Sequence, residues 1–230
     1  MSDLYTFRWP VDQHGYTVEH IEADHRAPDT ILSGRSDGGT FIRARGGPPR
    51  YIEPMSEHPG LWRRFAEECV SLDGILSFVT EFGLLGARAP RQTWALQSPL
   101  PPQQDNIEHF YRTAKLLSLI LWAIDSKDIE KASELYTTYA RPMPSSTLFP
   151  VGHGKYELRS VPNSLQVALL LQAGQAIAGG LRYRKCKNCP EWFRIGSGAF
   201  TSRREFCSVR CRVAWARKHK REETGEGEHS

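Results

Sequence analysis

The stretch CKNCPEWFRIGSGAFTSRREFCSVRC, residues 186–211, decides how this chain is interpreted. Two residues separate Cys186 from Cys189, three separate Cys207 from Cys211, and seventeen lie between the two pairs. Four thiolates at such spacing can complete the tetrahedral shell of a zinc ion, and a shell with no open position is structural rather than catalytic. The sequence therefore predicts one structural Zn2+ bound by Cys186, Cys189, Cys207 and Cys211.

The cysteine pattern leaves two alternatives open, an iron–sulfur cluster and redox-active thiols, and the flanking sequence favours zinc over both. The fifth cysteine, Cys69, lies in an apolar helical pattern and is predicted to be an inert core thiol. The odd number of cysteines and the polar, aromatic start MSDLYTFRWP, which lacks the apolar core of a signal peptide, favour a reducing, cytoplasmic location over secretion.

The residues around the cysteines predict a specific small fold. The two-residue gap of the first pair is typical of a metal knuckle, and a hairpin with its turn at Gly196–Gly198 would return the chain to the second pair. Ser208 is expected to cap a helix to about Arg221, which places Cys207 and Cys211 one turn apart on one face. Knuckle, hairpin and helix together describe a treble-clef zinc finger.

The formal net charge of +4 hides a strongly basic segment. Residues 182–221 contain thirteen Lys or Arg against two Glu, whereas residues 222–230 contain four Glu and no Lys or Arg. A local charge of this density suits a polyanionic partner, and the alternative is a solvated surface that keeps the protein in solution.

A helical wheel sharpens the interpretation of the basic segment. Arg210, Arg217 and Arg221 fall on one face of the last helix, away from the cysteines, where they are free to reach a phosphate backbone or groove. The candidate nucleic-acid contacts are Lys187, Arg203, Arg204, Arg210, Arg212, Arg217, Lys220 and Arg221.

The chain divides by pattern into four parts, and the expected fold class is α+β. Residues 1–55 concentrate β-forming residues between Asp- and Gly-rich turns, which predicts a β-rich part. Residues 56–181 are predicted to form a mainly helical body with a short hairpin near 148–161. The zinc finger at 182–221 and an acidic disordered tail at 222–230 follow.

Helical spacing within the body predicts a helix after Pro59 and another over Ile75–Phe82. Residues 87–103 contain four prolines and are predicted to form a connecting loop. Asp105 with Glu108 resembles the capping box of a long helix that ends near Asp125.

Two more helices are expected in the second half of the body. One runs from Asp128 to about Ala140, and the other begins after Asn163 or Ser164 and is stopped by Gly179-Gly180. The most apolar stretches of the chain are too short or too polar to span a bilayer, so no membrane partner is expected.

The stretch Ser164–Arg221 resembles a group of poorly characterised bacterial and phage-associated proteins, in which a helix ending in Gly-Gly leads directly into a treble-clef finger. The segments that carry the resemblance are Ala178-Gly179-Gly180, CKNCPEWF, Gly196-Ser197-Gly198 and FCSVRCR. The tail is also similar to the CGNR-type zinc finger of stress-response regulators, although Arg-Val-Ala rather than Gly-Asn-Arg follows Cys211. The resemblance implies zinc binding at the four cysteines and suggests nucleic-acid binding.

The function expected from the sequence is zinc-dependent nucleic-acid binding, to DNA before RNA, in a protein that acts as a transcriptional regulator. The chain has no phosphate-binding loop, no GxSxG and no HExxH motif, so it is not expected to be an enzyme. The helical body would supply dimerisation, a ligand site or a protein partner. The alternative is an interaction protein whose basic finger docks on an acidic partner.

Overall fold

The computed structural model describes residues 7–22, 39–86, 104–140, 145–152, 155–195 and 203–223, with the backbone alone at 145–152, 155–160 and 220–223. Seven helices and nine strands within these ranges form a mixed fold, which confirms the α+β class. The predicted loop at 87–103, the turn at Gly196–Gly198 and the tail beyond Glu223 lie outside the described residues.

Two small antiparallel sheets occupy the N-terminal part. Their strands are β1 (Trp9–Asp12), β2 (Tyr16–Ile21), β3 (Gly39–Ala44), β4 (Pro49–Ile52) and β5 (Gln104–Asn106). Strand β1 pairs with β4, and β3 lies between β2 and β5 in a three-stranded sheet. The register of β2 with β3 runs from Tyr16 opposite Ala44 to Ile21 opposite Gly39.

Helices make up the body, as its apolar spacing predicts. The π-helical turn Tyr136–Ala140 directly continues the fifth of them. The helices are α1 (Pro54–Glu57), α2 (Leu61–Glu68), α3 (Leu72–Phe82), α4 (Ile107–Asp125), α5 (Ile129–Leu135) and α6 (Leu165–Gly179). No helix in the described part of the chain is long and apolar enough to cross a membrane.

The start of α4 differs from the predicted capping box. Asn106, not Asp105, is the N-cap, and its side-chain oxygen accepts a hydrogen bond from the Glu108 backbone N–H at 2.8 Å. Asp105 is buried in β5, where its carboxylate accepts a hydrogen bond from the Gly86 N–H at 2.7 Å. Sheet pairing to β3 draws this residue into the extended conformation, because its neighbours complete the edge of the three-stranded sheet.

Helix α6 begins and ends as predicted. Ser164 is the N-cap, since its Oγ accepts a hydrogen bond from the Val167 N–H at 3.2 Å. Gly180 follows the last turn with a φ of 54°, a left-handed conformation that favours glycine and ends the helix. A hairpin of β6 (Ser145–Gly152) and β7 (Lys155–Val161) precedes this helix.

The core of the body is built around α2. The ring of Phe65 meets Phe78 of α3 edge-to-face at 4.9 Å between centroids, and it stacks on Phe110 of α4 at 6.2 Å. Aromatic pairs of this kind stabilise by about 0.5–1.5 kcal/mol beyond the area that they bury. Helix α2 is therefore held rigidly on this face, and its neighbouring residues Arg64 and Glu67 contact the cysteine-containing segment.

Candidate metal centre

The cysteine segment begins with a short antiparallel hairpin. Strands β8 (Arg182–Lys185) and β9 (Trp192–Ile195) pair with Lys185 opposite Trp192, and the chain between them holds Cys186 and Cys189. The Cys186 N–H donates a hydrogen bond to the Glu191 carbonyl at 2.9 Å, which closes the predicted knuckle.

The second pair of cysteines lies at the start of helix α7 (Val209–Glu223). Ser208 precedes the helix, and its Oγ accepts a hydrogen bond from the Cys211 N–H at 3.2 Å, as an N-cap does. Cys207 and Cys211 are one helical turn apart, so their sulfurs lie on one side and face the knuckle.

The four sulfurs converge on one point. The Sγ of Cys207 lies 3.4 Å from that of Cys211 and 3.6 Å from that of Cys189, and Cys211 and Cys189 are 3.7 Å apart. All four ligand atoms lie within 4.8 Å of one another. A zinc ion with Zn–S bonds of about 2.3 Å requires tetrahedral edges of about 3.8 Å. The cluster can therefore hold a metal ion, as the spacing predicts.

Backbone N–H groups point at the most buried sulfur. The N–H groups of Asn188 and Cys207 donate to the Cys186 Sγ at 3.5 and 3.4 Å. Burial raises the pKa of this thiol, but those donated hydrogen bonds, together with hydrogen bonds from the backbone and side chain of Cys189, outweigh it and lower the pKa to about 7.

The Cys189 and Cys207 thiols resist ionisation when no cation is present. Burial and contact with neighbouring thiols raise the pKa of Cys189, and the same causes raise that of Cys207 to about 11. Four thiolates at these distances repel one another, so a compensating cation is needed before all four can carry charge. The donor set thus has the chemistry of a thiolate metal site, and none of the five cysteines is in a disulfide.

The cysteine segment is anchored on the helical body through Glu191. Its carboxylate accepts a hydrogen bond from Arg64 Nη1 at 2.9 Å, and its second oxygen lies 3.2 Å from His58 Nδ1. The Arg64 side chain is only 5% exposed and also pairs with Glu68 at 2.9 Å and Glu81 at 2.6 Å. One buried guanidinium therefore joins α2, α3 and the metal knuckle.

A second contact lies beside the first and is largely aromatic. The Arg63 guanidinium lies 5.0 Å from the ring centre of Trp192 and 5.3 Å from that of Tyr183, and it pairs with Asp125 at 3.0 Å. A Cβ at Gly60 would lie 2.5 Å from Trp192, so only glycine permits this approach. The body and the cysteine segment thus share one packed interface.

Sequence reasoning missed this interface, although a signal was present. Glu191 is one of only two acidic residues in the strongly basic segment 182–221, and it lies two positions after Cys189. An isolated carboxylate beside a metal knuckle indicates a specific cationic partner, and that partner is Arg64.

Two of the eight candidate nucleic-acid contacts have intramolecular partners. Lys187 pairs with Glu205 at 2.7 Å. Arg204 donates hydrogen bonds to the carbonyl oxygens of Phe206, at 2.8 Å, and of Cys207, and its guanidinium lies over the Phe193 ring. Both residues therefore help to hold the segment between the two cysteine pairs.

The remaining candidates either have no side-chain partner among the described residues or have side chains that lie beyond them. Arg210 and Arg217 are exposed on α7, and Arg203 and Arg212 are exposed at a groove of about 420 Å³ beside the start of that helix. Lys220 and Arg221 belong to α7, but their side chains lie outside the described part of the chain.

The half-buried side of α7 carries aromatic residues. Trp215 lies one turn beyond Cys211, with its ring 5.7 Å from that of Phe206 and 4.0 Å from that of His219. Trp215 therefore supports the helix against the loop that carries Cys207, as its place on the helical wheel predicts.

Comparison with known proteins adds no family assignment: no protein-family model matches the chain, and no curated protein matches it in sequence. The likeness to the CGNR-type finger therefore stays a prediction. The geometry of the cysteine cluster and the surface around it carry the functional interpretation.

Proposed function

We propose that the four cysteines form the structural Zn2+ site of a treble-clef finger that presents α7 to nucleic acid, to duplex DNA before RNA. The observation that carries the metal assignment is the sulfur cluster: the three distances among Cys189, Cys207 and Cys211 are 3.4–3.7 Å, close to the edges of a Zn–S4 shell, and all four sulfurs lie within 4.8 Å of one another. A knuckle between the paired strands β8 and β9, followed by a second cysteine pair at the start of α7, supports the treble clef.

Exposed arginines support the nucleic-acid part of the proposal. Arg210 and Arg217 are seven residues apart on α7, so they lie on nearly the same face, two turns apart. A fixed row of guanidinium groups can neutralise successive phosphates, and such contacts set register without reading sequence. A phosphate-contacting helix attached to a helical body fits the class of cytoplasmic transcriptional regulators.

The metal is tested first, on the full chain. Purified protein should contain about one zinc ion per chain, and a Cys207→Ser/Cys211→Ser variant should contain none. Iron with visible absorption from sulfur-to-iron charge transfer would instead identify an iron–sulfur cluster, and the absence of any metal from both proteins would contradict the site.

The nucleic-acid contact is tested by titrating labelled duplex DNA and RNA at 50 and 200 mM salt. Removal of two phosphate contacts in Arg210→Ala/Arg217→Ala should reduce the slope of log K against log salt by about 2. The matched control Arg45→Ala/Lys127→Ala removes the same charge from exposed positions elsewhere and should change the slope little. Equal slopes for the two double variants would exclude α7 as the contact.

A second candidate function has one observation in its favour. Val209 is 67% exposed on α7, and Val213 and Ala216 lie on the same face. An apolar strip beside a row of arginines fits a protein partner with an acidic surface. Negligible binding of DNA and RNA by the zinc-loaded wild type at both salt concentrations would favour this function.

A further inference from the structure

A groove in the helical body lies outside the metal centre. It has a volume of about 630 Å³ and runs between α4, the π-helical turn after α5 and the first part of α6. Small-molecule sites in proteins have volumes of about 300–1,000 Å³. No residue of the cysteine segment lines this groove, so it is a separate site.

The floor of the groove is apolar. Leu116 and Leu119 of α4, Leu135 of α5 and Leu170 of α6 contribute aliphatic side chains. Leu119 remains 44% exposed, so apolar surface faces solvent within a concave site. An apolar chain that entered the groove would remove this surface from water, which is favourable.

The rim of the groove is cationic. Arg112 and Lys115 project from α4, and among the described residues no Asp or Glu lines the groove. Arg112 is exposed, and its acidic neighbour Glu108, 3.8 Å away on the same helix, is also exposed. The inner wall carries the buried Thr113, whose Oγ1 accepts a hydrogen bond from Gln166 Nε2 at 3.0 Å.

The π-helical turn forms one wall and is held in place by α6. An extra residue in a helical turn rotates the following side chains by about 100° relative to an uninterrupted α-helix, and such turns are frequent at functional sites. A Cβ at Gly174 would lie 2.5 Å from the Tyr136 hydroxyl, so glycine at this position lets the turn approach α6. Tyr139 and Ala140 of the same turn line the groove.

We infer that this groove binds a free amphipathic monoanion, with the carboxylate of a medium-length aliphatic acid at the cationic rim and its chain on the leucine floor. The charge of the rim selects the anionic head, and the apolar floor selects the tail. The body is thereby a ligand-binding domain, an assignment that stands whether or not α7 binds nucleic acid.

Calorimetric titration of the zinc-loaded full chain with decanoate, below its micelle concentration, tests the inference. The wild type should bind one equivalent, and Arg112→Gln/Lys115→Gln should weaken binding about five- to tenfold, because two exposed charge contacts are lost. The control Arg45→Gln/Lys127→Gln should leave the affinity unchanged. Decanol, which lacks the charge, should bind the wild type and the rim variant equally.

A second variant tests the floor. Leu119→Trp fills the groove from a partly exposed position and should abolish binding of both decanoate and decanol. If the melting temperature of this variant falls, Leu119→Gln replaces it as the test and should weaken the binding of both ligands. Equal decanoate affinity in the rim variant and its control would overturn the inference, as would no decanoate binding by the wild type. Loss of self-association in Leu119→Trp, with decanoate binding intact, would assign the groove to a second copy of the chain and also overturn it.

Discussion

Replacing Arg64 with methionine should destabilise the whole protein, because this one side chain joins the body to the metal knuckle. Arg64 is buried and forms hydrogen-bonded ion pairs with Glu68, Glu81 and Glu191 at 2.6–2.9 Å. Methionine has a similar length and fills the space, but it leaves three carboxylates around a position that has lost its positive charge.

The expected cost follows from the exposure of each carboxylate. Breaking a buried ion pair by removing one partner costs about 3–5 kcal/mol. The Glu81 side chain is 46% exposed and contributes little, whereas Glu68 and Glu191 are 26% and 21% exposed and both lose their guanidinium partner. We therefore expect the lower end, about 3 kcal/mol, which for a chain of this length lowers Tm by about 6–12 °C.

The loss should depend on pH with a definite sign. Burial alone would raise the pKa of the Glu191 carboxyl. The His58 hydrogen bond and charge, together with Arg64, outweigh burial and hold this pKa below its usual value of 4.5. A carboxyl whose folded pKa is lowered adds stability above the unfolded pKa and loses it as pH falls through the folded pKa. The gap in unfolding free energy between wild type and Arg64→Met should thus be complete at pH 7 and shrink below about pH 4.5.

Urea unfolding at pH 7 and pH 4, followed by far-ultraviolet circular dichroism, measures this gap. The matched control is Arg43→Met, because Arg43 pairs with Glu19 at an exposed position and its loss should cost less than about 1 kcal/mol. Zinc transfer to a colorimetric chelator should also be faster in Arg64→Met, since Glu191 follows Cys189 by two residues. A free-energy loss no larger than that of the control would refute the role assigned to Arg64.

Three further changes have defined outcomes. Cys189→Ser should lower the zinc content from about one ion per chain to zero and unfold residues 182–221 while the body stays folded. The helical circular dichroism signal should then fall in part, and the fluorescence of the core tryptophans should be retained. Gly60→Ala places a methyl group 2.5 Å from Trp192 and should cost about 1–3 kcal/mol in urea unfolding; an unchanged midpoint would contradict the packed interface. After a chelator removes the metal and the cysteine segment unfolds, a thiol reagent at neutral pH should modify the four cysteines of that segment. It should reach Cys69 only after denaturation of the body, because burial raises the pKa of Cys69 and shields it.

Local features of the site were predictable from sequence because they depend on spacing. The spacing within each cysteine pair and the hydrogen bonds of the capping serines Ser164 and Ser208 involve residues only three or four positions apart. Over such a short range, backbone geometry allows few conformations. The start of α4 was predicted one residue early, because pairing of β5 with β3 competes with helix formation at Asp105.

Contacts between distant residues were not predictable. Arg64 and Glu191 are 127 positions apart in the sequence. From the helical pattern alone, Arg64 would be expected to face solvent on the polar side of α2. Lys187, Arg204 and Arg210 are all exposed and look equivalent in a charge count. Lys187 and Arg204 nevertheless have intramolecular partners, whereas the Arg210 side chain has none among the described residues.

The sequence by itself determined that four thiols would meet, since two short gaps and one hairpin-length separation bring the sulfurs together whatever lies upstream. Only the tertiary structure decided where that cluster sits and which charges remain available to a partner. The physical reason is range: knuckles and helix caps are set by neighbouring backbone, whereas the pairing of a buried guanidinium with Glu191 exists only once α2, α3 and the cysteine segment have packed together.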